Sequence, residues 1–556
     1  MSNTGCSAAV RTRLRRSPRR ASFPTLATRA PSPRQRLARN PGAPGVPGVR
    51  HGECADGDQG VERGSLTVAG VVLSSVRRSL AFSLADSYVG VALQLASTLL
   101  ISRLLTPTEI GIFAVAAVLA ALASTFRDFG VAEYLIQEKN LTDDKIRSAF
   151  AANIAVSWLM AGALFASSGA VADFYRQAGI ADVMRIQAIN FVLIPFGAVT
   201  MAYFRRQLNY RPIFIAGLLA NITSFIVAVG AALAGLSYMS LAWSGLAGVI
   251  VSVAVSIVMR PRDFPAWPAF KGMRDVIHFG KHASGIYLLG QVGKNAPEAV
   301  IGRALDMAGA AFYSRANGLM EIFNRLFMRS IMQVCLPYFS QAAREQQGTS
   351  TVYLRVATLL TGIGWPFMLY VGIVAYSAVR LLYGPQWTES VPLAQILCVA
   401  AILELPYLLA SEVMMAEGRV DQSSRLQIPL QGLRLLGLLL VFPFGLTGLC
   451  YGLVAAALGG AIVSHHFLHR IIGLRFAAMI SACLPSVLVT LIAVTPVALA
   501  AIAVGQNEEN FVVFFAAGSV ATPIAWLAAL RVLRHPFWLE VCKLFGQARV
   551  LLRAGR

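Results

Sequence analysis

Charge is what this sequence has least of. Asp, Glu, Lys and Arg make up only 13% of its 556 residues, while 56% are hydrophobic; an ordinary soluble domain carries about 25% charged residues. So few charges cannot cover a water-soluble globule of this size, which excludes a soluble enzyme, a nucleic-acid-binding protein and a disordered scaffold. Cysteine is sparse as well. The seven (Cys6, Cys54, Cys335, Cys398, Cys450, Cys483 and Cys542) are scattered, without a Cys-x-x-Cys pair or Cys/His ligand spacing. Neither a disulfide framework nor a metal site is indicated, and the thiols within apolar runs act as small apolar filler. No Gly-x-x-x-x-Gly-Lys-Ser/Thr run is present, so there is no built-in nucleotide motor. No break between apolar runs is long enough for a soluble domain. Active work must therefore draw on an ion gradient, the membrane potential or the substrate's own gradient.

What is abundant is apolar length. Fourteen stretches of 18 or more mostly apolar residues recur, near 80–102, 109–126, 148–171, 183–204, 212–234, 239–259, 281–302, 308–339, 354–379, 390–415, 427–444, 446–468, 477–504 and 510–531. A hydrocarbon core of about 30 Å needs about 20 helical residues, so the expected fold is an all-α membrane protein of about fourteen transmembrane helices. The net charge of +21 is read as a topology signal. Connections after even-numbered stretches hold Lys139, Lys145 and Arg147; Arg205, Arg206 and Arg211; Arg260, Arg262, Lys271 and Arg274; and further arginines at 344, 419, 425, 470 and 475. Connections after odd-numbered ones hold Arg103, Arg176, Arg303 and Arg380, partly offset by Glu109, Asp173, Asp306 and Glu389. The positive-inside rule then places both termini in the cytoplasm.

Residues 1–65 stand apart. The first 50 carry 11 arginines and no acid amid Pro, Ser and Gly; such a segment cannot bury a core and is expected to be disordered. It suits a cytoplasmic tail on an anionic leaflet or a mis-assigned start better than a targeting peptide. Further on, the chain matches itself at an offset of 200: Gly90, Ala96, Ile101, Arg103, Leu105 and Ala116 align with Gly290, Ala296, Ile301, Arg303, Leu305 and Ala316. Six intervening helices leave both halves in the same orientation, a parallel repeat of the kind found in transporters that rock two bundles about a central site. The expected parts are a lobe over 75–260, an amphipathic connector over 261–280 on the inner leaflet, a second lobe over 281–470, two further helices over 471–535 and a basic tail over 536–556.

Ionisable groups inside spans are costly and face a wet cavity or a partner. In the eighth stretch Arg315, Asn317, Glu321, Asn324, Arg325 and Arg329 fall on roughly half the circumference at about 100° per residue. Three arginines against one glutamate suit a diphosphate, which arginine grips bidentately; alternatively Glu321 pairs with Arg325 at i,i+4. The seventh stretch carries Lys294, Asn295 and Glu298 around Pro297, which reads either as a hinge or as a neutralised structural pair. Asp86 is a coupling-ion candidate or a boundary residue; Arg127 and Asp128 are a gate or a solvated turn pair. Asn190, Asn221, Glu404, Glu412 and Arg434 read as glue between helices. His465, His466 and His469 read as interfacial anchors rather than metal ligands.

The run Ile101-Ser-Arg-Leu-Leu-Thr-Pro-Thr-Glu-Ile-Gly-Ile-Phe113 resembles the first-loop signature of the polysaccharide transporters. Residues 126–137, from Phe-Arg-Asp-Phe-Gly to Leu-Ile-Gln, resemble the turn after that family's second helix. Val300-Ile-Gly-Arg-Ala-Leu305 with Phe312-Tyr-Ser-Arg-Ala316 resembles its junction between the seventh and eighth helices. One departure is Asp306, where the family more often has glycine directly after the leucine. The resemblance, over about 75–535, is to the Wzx-like oligosaccharide flippases of the superfamily that includes lipid II flippases and multidrug antiporters. It implies two six-helix lobes with two added helices that flip a polyprenyl-diphosphate-linked oligosaccharide across a bacterial inner membrane, without covalent catalysis or cofactor. It also implies membrane lipid and the polymerase and export proteins of the pathway as partners. Under this resemblance Arg315, Arg325, Arg329, Asn317, Asn324, Lys294 and Asn295 would bind substrate, and Asp86, Arg127, Asp128, Glu298 and Glu321 would gate or couple. A multidrug or organic-cation antiporter and a multispan glycan polymerase or ligase are the alternatives; an arginine-rich eighth helix speaks against the first, and short outward loops against the second.

Overall fold

The computed structural model describes residues 88–127, 131–138, 140–265, 267–269, 290–345 and 348–542. The arginine-rich segment 1–65, Asp86, Asp128, most of the connector over 261–280 and the tail beyond 542 lie outside the described residues. Among the described residues every regular element is helical.

The first two helices show how the sequence sets its own boundaries. Helix α1 (Tyr88–Leu104) gives way at Leu105 to α2 (Pro107–Arg127). The start of α2 is a capping box: Glu109 Oε2 accepts from the Thr106 backbone N–H at 2.7 Å, while Thr106 Oγ1 accepts from the Glu109 N–H at 3.4 Å. Pro107 occupies the first helical position, where its missing N–H costs nothing. Two hundred residues on, α9 (290–304) ends and α10 (Met307–Phe323) begins after an identical two-residue break. Here Asp306 is the N-cap, its Oδ1 accepting from the Gly309 N–H at 2.5 Å. The departure from the family pattern at Asp306 is thus a change of capping chemistry that leaves the turn intact.

The remaining helices are α3 (Val131–Gln137), α4 (Asp143–Tyr175), α5 (Ala178–Leu193), α6 (Pro195–Arg206), α7 (Tyr210–Leu233) and α8 (Met239–Val258) in the first half. After α10 come α11 (Arg329–Arg344), α12 (Thr349–Ile373), α13 (Ala375–Leu382), α14 (Ser390–Glu404), α15 (Ala410–Ala416), α16 (Val420–Val441), α17 (Gly445–Ile472), α18 (Phe476–Ala503) and α19 (Phe511–Val532). Packing repeats between the halves. Helix α5 packs on α2, α4 and α8, and α7 packs on α8; in the second half α14 packs on α10, α12 and α17, and α16 packs on α17. The parallel repeat expected from a few identities therefore extends through the helix order. Helices α18 and α19 pack on each other and against α12 and α13.

Each of the fourteen apolar stretches is largely helical where described, but among the described residues nine helices, with α14 and α15 counted as one, are both long and apolar enough to cross a bilayer, or ten if α5 and α6, bent by 51°, form one span. Helix α1 is described over only 17 residues and α9 from 290 onward, the α10–α11 stretch is rich in polar residues, and α16 carries Asp421, Arg425 and Arg434. Outward-facing apolar side chains such as Val258, Leu440 and Ile502, between 72% and 83% exposed, suit a hydrocarbon solvent.

Odd-numbered connections gather at one end. Ser237 donates to Glu109, Ser377 Oγ donates to Gln506 at 2.8 Å, and Arg380 pairs with Glu508. Even-numbered connections meet at the other. Arg206 Nη1 donates to the carbonyls of Leu135 and Glu138 at 2.8 and 2.6 Å, and Lys145 bonds the Glu138 carboxylate at 2.9 Å, holding it below the usual carboxylate range.

Candidate functional site

The two halves are joined where their repeated turns meet. A Cβ on Gly111 of α2 would fall on the carbonyl oxygen of Met307 at the start of α10, and one on Gly302 would stand 2.5 Å from the Val115 side chain. Only glycine lets these backbones approach so closely. The connection after α13 then inserts a plug. Gly384, at φ +105°, turns the chain, and Trp387 becomes fully buried, its indole N–H donating to the Ser102 carbonyl at 2.8 Å. Gln386 Nε2 donates to the carbonyls of Ser102 and, at 2.9 Å, Leu105, while Arg103 Nη2 reaches back to the Leu381 carbonyl at 2.7 Å. Tyr175 Oη donates to the Ala299 carbonyl at 3.2 Å, and the Arg303 guanidinium lies 5.0 Å from the Phe174 ring. These hydrogen bonds all join the halves at the end of the odd-numbered connections.

Behind this seal lies a cavity of about 430 Å³ between the halves, with Gln94 and Thr98 of α1, Ala114 and Ala121 of α2, and Asn295, Glu298, Ser314 and Arg315 of α9 and α10 on its walls. Its first-half wall is mostly small or neutral; the charge comes from the second half. Glu298 bonds to Ser314 and faces Arg315. The Arg315 guanidinium lies 5.5 Å from the Tyr383 ring centroid and 5.2 Å from that of Trp387, a doubly stacked cation whose Nε is buried without a hydrogen-bond partner. Arg315 thus connects the cavity wall to the plug.

A second cavity, of about 310 Å³, lies within the second half on the other side of α10. Two ion pairs line it. Lys294 of α9 meets Glu321 of α10 at 2.7 Å, and Glu404 of α14 meets Arg434 of α16 at 2.7 Å. Asn317 and Asn324 add polar lining, and Met320, Met368 and Leu397 add apolar lining. Side-chain exposures of 56% for Lys294 and 38% for Glu404 keep the recess open to solvent.

The polar face read from α10 is therefore divided between two cavities, with Arg315 in one and Asn317, Glu321 and Asn324 in the other. Asn295 and Glu298 accompany Arg315, and Lys294 accompanies Glu321. Glu321 takes Lys294 as its partner, rather than Arg325 one turn along its own helix. Arg325 is exposed, and the Arg329 side chain lies outside the described residues, as do Asp86 and Asp128. Arg127 stacks 5.2 Å from the Phe191 ring centroid. The hinge expected at Pro297 is not where the backbone departs from regularity: α9 runs through Pro297 without a break, and a π-helical turn over Asn324–Met328 interrupts the eighth stretch instead. Such turns leave backbone groups unevenly shared and gather at functional positions. Among the described residues no cluster of His, Cys, Asp or Glu could hold a metal ion. Glu404 and Arg434, read as glue between helices, do join α14 to α16, but their pairing across 30 residues was not legible, and sequence reasoning missed Trp387, for which the Gly384-Pro-Gln-Trp turn was the available signal.

Residues 100–392 match the family described as polysaccharide biosynthesis protein. Lipopolysaccharide biosynthesis protein WzxC of Escherichia coli (strain K12) is 23% identical over 477 residues, covering 84% of this chain and 96% of that protein. Succinoglycan biosynthesis transport protein ExoT of Rhizobium meliloti (strain 1021) is 24% identical over 330 residues, 59% of this chain and 66% of that one. Among solved structures, the lipid II flippase MurJ in an inward closed conformation superimposes with a TM-score of 0.65 at 12% identity, covering 82% of this chain and 99% of MurJ. An inward-facing multidrug resistance MATE transporter follows at 0.56 and 14%, covering 69% and 94%. At such identities these likenesses are of fold. The family match spans more than half of the residues and includes both repeated turns, the plug and α10: the chain belongs to the polysaccharide biosynthesis protein family, as a multi-pass membrane protein.

Proposed function

We propose that this protein flips a polyprenyl-diphosphate-linked oligosaccharide from the cytoplasmic to the outer leaflet of a bacterial inner membrane, by alternating access and without covalent chemistry. The observation that carries the reading is the cavity between two repeated halves, closed at the end of the odd-numbered connections by a glycine-lined crossing and a tryptophan plug. Loop charge assigns the sealed end to the outside, so the state described would admit substrate from the cytoplasm. Arg329, Arg325 and Arg315 succeed one another along about 20 Å of helix at 1.5 Å per residue, a series of cationic steps for a diphosphate. At the last step the diphosphate would compete with the Tyr383 and Trp387 rings for Arg315, and its arrival would loosen the plug. The glycan would cross in water and the polyprenyl tail would stay in lipid. The π-helical turn at 324–328 would serve as the point about which α10 bends.

The test measures which leaflet holds the polyprenyl-diphosphate oligosaccharide in cells depleted of the protein. The expected result is accumulation on the cytoplasmic side, relieved by the wild-type chain but not by Arg315→Ala or Arg329→Ala. Normal glycan export combined with altered sensitivity to cationic drugs would overturn the reading in favour of a drug antiporter.

A further inference from the structure

The cavity within the second half has a chemistry of its own. Lys294 and Arg434 each lie 2.7 Å from a carboxylate, Glu321 and Glu404 respectively. The four charges cancel, so the recess has no net charge with which to attract a diphosphate or a cation. What remains is hydrogen-bonding capacity: unused carboxylate lone pairs, ammonium and guanidinium N–H groups turned to the recess, and the carboxamides of Asn317 and Asn324. Donors and acceptors both line the recess, and Met320, Met368 and Leu397 add apolar surface. A neutral polyhydroxyl ring has matching surfaces, hydroxyls at its edge and C–H groups on its faces. Paired charges suit it because an ion pair offers a donor and an acceptor side by side to adjacent hydroxyls. The volume of about 310 Å³ lies at the lower end of the range for small-molecule sites, about 300–1,000 Å³, room for a sugar residue rather than a whole repeat unit.

We infer that this recess is a glycan-recognition subsite that takes one uncharged sugar residue of the substrate, apart from the arginines that would take the diphosphate. The inference rests on the flippase reading and adds to it a place where sugar identity is tested. Lys294 and Glu321 join α9 to α10, and Glu404 and Arg434 join α14 to α16. A sugar bonded to both pairs would bridge four helices of the second half and register there as a correctly built glycan.

The experiment uses the full-length protein in lipid nanodiscs and, as probe, the free oligosaccharide released by mild acid from the lipid-linked pool of the same cells. That probe has neither diphosphate nor tail. Its binding is followed by saturation-transfer NMR, with inorganic pyrophosphate as competitor. Wild type is expected to bind the oligosaccharide, and pyrophosphate in excess is expected to leave the signal in place. Asn317→Leu, which replaces a carboxamide with an apolar group, and Ala401→Leu, which fills the recess from α14, are each expected to weaken binding at least about ten-fold, or about 1.4 kcal/mol. Two variants on different helices guard against one that does not fold, and the melting temperature of each is recorded. Absence of binding, displacement by pyrophosphate, or equal binding by wild type and both variants would overturn the inference. A chain that flips its lipid-linked substrate yet binds no free oligosaccharide would sink the subsite alone. A chain that binds the oligosaccharide through the recess but flips nothing would leave the subsite standing and remove the flippase reading.

Discussion

The plug at Trp387 allows closure to be separated from folding. Its ring packs at 5.9 Å from Phe312 and 6.4 Å from Tyr383, both in its own half, whereas its indole N–H crosses to Ser102. Opening the seal would break the second interaction and keep the first. Trp387→Phe retains the ring packing and forfeits one hydrogen bond, about 0.5–1.5 kcal/mol. The Ser102 carbonyl still receives Gln386, which points to the lower part of that range. The ratio of closed to open states should therefore fall about two- to ten-fold, because 1.4 kcal/mol is a factor of ten. Trp387→Ala also leaves a void, a cost of about 3–5 kcal/mol for a buried aromatic, but most of that is lost in both states and lowers the melting temperature instead. The assay is labelling of Thr98→Cys, on the cavity wall, by a membrane-impermeant maleimide added from outside, with the same chain lacking that cysteine as background. Labelling rate follows the open population and should rise in the order wild type, Phe, Ala. If both variants melt at lower temperature while labelling stays at the wild-type rate, Trp387 is a core residue only and the seal reasoning fails.

Three further expectations follow from the packing. Gly111→Val should raise external labelling and cost more than the usual 1–3 kcal/mol of overpacking, since its Cβ would meet backbone at Met307, whereas Gly432→Ala, with open space around it, should change neither labelling nor melting temperature. Arg434→Met should destabilise by about 1–2 kcal/mol, less than the 3–5 of a fully buried pair because Glu404 is 38% exposed; Glu404→Leu/Arg434→Leu should recover much of this in a double-mutant cycle read by thermal melting. His535 is almost fully buried, with Nδ1 accepting from the Phe537 N–H and Nε2 bonded to Ser486 Oγ, both at 3.1 Å. Burial pushes its pKa down to about 4 from 6.5, so only the unfolded state takes up this proton between those values. Its contribution is complete above about pH 6.5 and is lost as pH falls toward 4; His535→Gln should flatten the melting temperature over that window, and an unchanged pH profile would refute the assignment.

What the sequence made legible and what it hid differ in range. Apolar run length is local, and among the described residues it located every helix long and apolar enough to cross a bilayer, though not the short α3. The offset of 200 was visible because Ile101, Arg103 and Leu105 and their counterparts hold the turn itself, and the packing order of α5 and α14 extends that symmetry beyond any residue identity. Partner choice is not local. Periodicity could offer Glu321 only a neighbour on its own helix, Arg325, but a lysine on the adjacent α9 was nearer in space. Likewise Glu404 and Arg434, each without an opposite charge in its own stretch, meet because α14 and α16 both flank α17. The same limit explains why the polar stripe on α10 read as one surface. A helical projection shows which side chains share an arc, but not that another helix divides the space that the arc faces. Arg315 and Asn317 are about 200° apart around the helix, enough for one to meet the plug and the other to meet a chamber of balanced charge. The two cavities thus follow from the sequence of α10 only once its neighbours are in place. Under the proposed function, that division would let Arg315 meet diphosphate on one side of α10 while a recess of balanced charge takes sugar on the other.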